Sequence, residues 1–221
     1  GFLAFTNVGG LDTRILQSAE VIIYGEKQIF GVIASTPPHL QNPKDAKKLK
    51  KISELLIDTG YSKDELSKIV SIGTPVGFFP RISELGSGYL VGKGFDNKAC
   101  VAAAVCAVAG LCADRLNFDV CLLLSTREEI GLVGGRVGAF HAAPDYAIVI
   151  DVNLASAPDT KKHKTVKPGA GPSISLSAVT DRKLTRHIIG IAQKGGIPHQ
   201  TVVETASTGT NADIIALTRE G

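Results

Sequence analysis

The first third of the chain alternates apolar and polar positions with period two. AEVIIYG and QIFGVIAS read as strands, and the three residues between them, Gly25-Glu26-Lys27, suit a hairpin. GFLAFTNVGG is an apolar run closed by a Gly-Gly turn, and Pro37-Pro38 ends the strand pattern. In DAKKLKKISELLID, Leu49, Ile52, Leu55 and Leu56 fall at helical spacing, predicting a helix over 45–58 with Gly60 at its end. Ser62 and Glu65 form a capping-box pattern, predicting a short helix that ends near Val70. Residues 71–92 return to strand-like runs punctuated by Gly73, Pro75, Gly77 and Pro80.

From about residue 88 the grammar changes. A short strand and a Gly-containing loop lead into an apolar, Ala-rich helix from about Asn97 to Cys112. DVCLLLST and YAIVIDV are continuous apolar runs, the pattern of strands buried on both faces. Between them lie a turn at Gly134-Gly135 and a short helical piece. SISLSAV predicts a further strand. A helix capped by Asp181, the strand TVVET and a last helix in NADIIALTRE follow. Strands alternating with helices predict an α/β layered domain, a mixed central sheet flanked by helices, with a smaller β-rich domain before it. The boundary is expected between residues 1–87 and 88–221.

Composition narrows the function classes. The net charge of +3 is carried largely by one run, Lys44 to Lys51, without interleaved aromatics, which is the solvated face of a helix and not a nucleic-acid patch. No apolar run is long enough to span a membrane. Cys100, Cys106, Cys112 and Cys121 form no CxxC pair, so free thiols in a reducing cytoplasm are expected. The chain contains no methionine. It opens directly into a strand-like run, and Gly221 stands where a helix C-cap would be, as expected for a piece of a longer protein.

Candidate chemistry lies in the acids. Asp96 follows YLVGKGF, Glu128 and Glu129 follow CLLLSTR, and Asp151 follows AIVI. Each stands where the chain leaves an apolar run, and in open α/β sheets ligands bind outside the carboxyl ends of strands. Singly, Asp96 is an ordinary helix N-cap and Glu128-Glu129 a solvated turn. Together, four carboxylates in one crevice repel each other and take up protons unless cations neutralise them. Two divalent cations about 3.5–4 Å apart form a known hydrolytic arrangement.

At these residues the chain resembles the TET-type aminopeptidases, which include glutamyl and deblocking aminopeptidases long described as endoglucanases. The likeness is carried by GFLAFTNVGGLDTRIL, GVIASTPPHL, GKGFDNKACVAAAV, TREEIGLVGGRVGAF, AIVIDVN, GAGPSISL and IPHQTVVETASTGTNADIIALTREG, in that order. The resemblance implies a metal-dependent aminopeptidase acting on peptide substrates with two divalent metal ions, zinc or cobalt. It implies that Asp96 bridges the metals, Glu128 is the general base, and Glu129 and Asp151 each bind one metal. It also implies that the β-rich segment is a dimerisation domain and that the protein is a homo-oligomer, a dimer or a dodecamer.

Two further ligands of that family, in a His-x-Asp segment ahead of Gly1 and a histidine after Gly221, fall outside this chain. His39, His141, His163, His187 and His199 match neither position and are read as non-ligands. Asn211 stands where the family more often has Asp, and no role follows from that alone. The competing readings are a catalytically inactive structural or binding subunit with the same fold and, last, a glycosidase. The latter is disfavoured by 5% aromatic content and the lack of any Trp to stack sugars.

Overall fold

The computed structural model describes residues 1–40, 48–111, 115–158, 160 and 165–218. The chain divides into two compact units, Gly1–Lys93 and Gly94–Gly221.

The first unit is built on a five-stranded antiparallel sheet in the order β1-β4-β3-β2-β5. Its strands are β1 (Phe2–Leu3), β2 (Glu20–Tyr24), β3 (Gln28–Ala34), β4 (Leu56–Asp58) and β5 (Val76–Phe78). β2 and β3 form the expected hairpin, with Tyr24 opposite Gln28 and Glu20 opposite Val32. Period-two alternation turns Val21, Ile23, Ile29, Ile33 and Ile57 to one face, where Leu16, Leu55 and Leu66 complete a buried core. Gly31 lies on that same face. A methyl group there would stand 2.6 Å from Ile57 Cγ2, so the packing of the sheet demands glycine. The capping box forms as read: Ser62 Oγ accepts from Glu65 N–H, and Glu65 in turn accepts from Ser62 N–H, starting α1 (Lys63–Leu66). A hairpin of β6 (Ile82–Leu85) and β7 (Tyr89–Gly92) ends the unit.

The helix expected over 45–58 is not formed in its described part. Ile52–Glu54 make a single 3₁₀ turn, and Leu56–Asp58 are β4, paired on both sides with β1 and β3. The helical spacing of Leu49, Ile52, Leu55 and Leu56 competes with a period-two alternative that buries Leu55 and Ile57, and sheet pairing decides it. Residues 45–47 of that expected helix, and much of the Lys44–Lys51 run, lie outside the described residues.

The second unit is mixed α/β. It contains α2 (Phe95–Ala109), α3 (Val133–Ala142), β8 (Ser173–Leu176), α4 (Arg182–Lys194), β9 (Gln200–Val203) and α5 (Ala212–Ile215). β8 and β9 pair in parallel, Ser173 opposite Gln200, with α4 as the crossover between them. Asp181 caps α4 as expected, accepting from Leu184 N–H at 2.6 Å. The α/β class expected from the sequence therefore holds.

Three local expectations change. Residues 120–125 and 146–152 form no strand among the described residues, and their apolar side chains are exposed, Leu124 at 51% and Ile148 at 69%. A strand needs a ladder partner, and neither run finds one among the described residues. Gly134-Gly135 lie inside α3 and not in a turn, and Arg136 N–H makes a helical bond back to Leu132 O across them. The last helix, α5, spans four residues. Cys112, His163 and Gly221 lie outside the described residues. Cys100, Cys106 and Cys121 are free thiols. No helix among the described residues is long and apolar enough to cross a membrane.

Candidate metal centre

All four acids belong to the second unit. Asp96 and Asn97 open α2 with non-helical backbone angles, so the regular helix begins after them and both side chains are presented at its start. Glu128 and Glu129 sit in the loop between residue 125 and α3. That loop closes on itself: Gly131 and Leu132 N–H donate to Glu128 O, Val133 N–H to Arg127 O and Gly134 N–H to Thr126 O. Arg127 and Leu132 both take the left-handed conformation, each with φ near 57°, a costly geometry for non-glycine residues. Asp151 ends the second apolar run and is half-buried.

The four carboxylates share one electrostatic neighbourhood. Burial, reinforced by the charges of Asp151, Glu129 and Asp96, raises the proton affinity of Glu128 above the ordinary carboxylate range. Asp151 is raised as well, mainly by burial and further by Asp96, against the opposing hydrogen bonds from Val152 N–H and the Asn97 amide. The Cys100 thiol, one turn into α2, is pushed up by burial and then by Asp151 and Asp96. Asp96, Glu128 and Asp151 thus feel one another's charge.

The acids act on one another electrostatically but form no finished cage among the described residues. Among the described residues, no three His, Cys, Asp or Glu side chains stand together at metal-holding spacing, and no histidine completes such a group. His199 instead faces Ile197 O through Nδ1 at 2.9 Å. The donor set still fits a divalent cation in kind. Carboxylate oxygens are hard donors, and their mutual repulsion is what a bound cation would relieve. Asn97 Oδ1 is also buried beside Asp151 without a hydrogen-bond partner.

Sequence reasoning passed over two side chains at this site. Asn97 Nδ2 donates to Asp151 Oδ1 at 2.5 Å, tying the start of α2 to the end of the second apolar run. Asn211 Nδ2 donates to Ser125 Oγ at 2.9 Å, at the root of the Glu128 loop. Asn97 carried a weak signal as the neighbour of Asp96. A cleft of about 1240 Å³ reaches the site at Cys100 and Asp151, without touching Asp96, Glu128 or Glu129.

The sequence and the fold match a known class. A family model of the M42 glutamyl aminopeptidases covers residues 1–221, and the chain belongs to that family. It is similar to the lysyl aminopeptidase of Pyrococcus furiosus, 29% identical over all of this chain and 64% of that protein. The aminopeptidase APDkam598 of Desulfurococcus kamchatkensis superposes with a TM-score of 0.88 at 32% identity, over all of this chain and 63% of the other. The TET1 peptidase of Pyrococcus horikoshii, described as assembling into a tetrahedron or a large octahedral shell, superposes with a TM-score of 0.78 at 32% identity. That match covers 96% of this chain and 64% of the other. The chain thus spans less than two thirds of the length of these relatives.

Proposed function

We propose that the protein is a metal-dependent aminopeptidase that hydrolyses N-terminal residues from peptides. The observation that carries this reading is the electrostatic coupling of Glu128, Asp151, Asp96 and Glu129 in a chain of the M42 family. Asp96 would be shared by two divalent cations, zinc or cobalt, and Glu129 and Asp151 would each hold one of them. When bound, such cations supply Lewis acidity toward the scissile carbonyl and the attacking water. Glu128 takes the proton of that water and returns it to the leaving amine. Asn97 holds the Asp151 carboxylate by one oxygen, leaving the other free for a cation. The first unit is assigned to self-association, in keeping with the shells described for the Pyrococcus horikoshii relative.

The test is a panel of aminoacyl-nitroanilides with metal analysis on the full-length protein and its Glu128→Gln variant. The variant should keep its metal and lose turnover by about 10²–10⁴-fold, the range for a general base. Retained turnover would remove Glu128 from the base role. A full-length protein with neither metal nor turnover would instead favour the inactive binding subunit.

A further inference from the structure

We propose that Asn211 is a positioning residue that fixes the loop presenting Glu128 and Glu129. This rests on the assignment of Glu128 as base. The loop's backbone hydrogen bonds among the described residues run between residues 126 and 134. Its ends carry two left-handed non-glycine residues, Arg127 and Leu132. Such conformations persist only where the surroundings over-determine them.

Asn211 supplies that constraint from a distant part of the chain. Its amide donates to Ser125 Oγ, 86 residues away in sequence, immediately before the loop. The same side chain lies against Gly135 in the first turn of α3, immediately after the loop. A Cβ on Gly135 would stand 2.2 Å from Asn211 Oδ1. One side chain therefore bonds to the entrance of the loop and packs against its exit.

Two further observations separate this from ordinary packing. Asn211 Oδ1 is buried without a hydrogen-bond partner, a cost that an apolar side chain of the same size would not incur. The segment that carries Asn211 is itself tied together by hydrogen bonds. Asp213 accepts from Ser207 Oγ, from Thr208 N–H and Oγ1, and from Gly209 N–H. The amide is thus held on a braced platform and aimed at the loop.

The experiment uses the full-length enzyme and its Asn211→Ala, Asn211→Asp, Ser125→Ala and Asn211→Ala/Ser125→Ala variants. Turnover on an aminoacyl-nitroanilide, metal content, thermal midpoint and amide exchange of Gly131–Gly134 are measured on each. Asn211→Ala should lower kcat about 10- to 100-fold with KM within about threefold, since a small misplacement of a catalytic group acts on kcat. Its loop amides should exchange about tenfold faster through local opening. Asn211→Asp keeps the side-chain shape and can accept from the Ser125 hydroxyl in place of the amide's donation, so it should restore most of kcat. Ser125→Ala should reproduce Asn211→Ala, and the double variant should add little. Unchanged loop exchange, or a kcat loss that matches the loss of folded protein, overturns the proposal. If Asn211→Ala does not fold, Ser125→Ala decides by the same readouts. If Glu128→Gln proves active while the loop loosens in Asn211→Ala, the base assignment fails and the tether stands.

Discussion

Replacing Asp213 by Ala strips the platform under Asn211 of its brace. The carboxylate accepts four hydrogen bonds, from Ser207 Oγ at 2.5 Å, Thr208 N–H and Thr208 Oγ1 at 2.8 Å, and Gly209 N–H at 2.9 Å. Protein hydrogen bonds contribute about 0.5–1.5 kcal/mol net, and this loop is partly open to water, so the lower end applies. Four such bonds amount to about 2 kcal/mol of local stability. That corresponds to exchange of the Thr208 and Gly209 amides about 30-fold faster in Asp213→Ala than in the wild type at neutral pH, since about 1.4 kcal/mol is tenfold. The effect has a definite pH signature. Burial alone would raise this carboxyl, but the four donors outweigh it and hold it below its ordinary value of 3.8. A carboxyl depressed on folding stabilises fully above its unfolded pKa and loses that contribution as pH falls through the folded one. The ratio of exchange rates should therefore be largest near neutral pH and shrink in acid below 3.8. A ratio near one at neutral pH, or a ratio that grows on acidification, would refute the reasoning.

Other expectations follow from contacts of the same kind. Gly31→Ala would force a methyl between Ile57 and Ile23, with Asp58 O at 3.1 Å, and should destabilise the first unit by about 1–3 kcal/mol in urea denaturation. A midpoint equal to the wild type's would show that β3 and β4 can separate freely. In metal-stripped protein, Asp151→Asn should speed alkylation of Cys100, because Asp151 is one of the charges that suppress its thiolate. The rate is read by mass spectrometry of the Cys100 peptide, with exposed Cys106 as internal reference. An unchanged rate would mean that Cys100 does not feel the acidic cluster.

What the sequence made legible was whatever is decided locally. The β2–β3 hairpin follows from alternation on both sides of a three-residue gap, and the α1 cap from two residues three apart. Residues 52–58 satisfy two periodicities at once, and the choice belongs to β1 and β3, one of them more than fifty residues away in sequence. The runs at 120–125 and 146–152 have strand composition, but composition does not supply a pairing partner. The acids stood out in the sequence because they follow apolar runs. Asn97 and Asn211 drew notice only as the neighbour of Asp96 and as a departure from the family pattern, and their roles were not readable because their partners lie 54 and 86 positions away.

The central claim is that Asp96, Glu128, Glu129 and Asp151 form one cation-binding cluster. Elemental analysis of zinc and cobalt in the full-length protein, beside Asp96→Ala, tests it most directly. The account predicts about two divalent ions per chain in the wild type and close to none in the variant, as for a bridging ligand. A wild type that takes up no metal, or an Asp96→Ala variant that retains full occupancy, would contradict it.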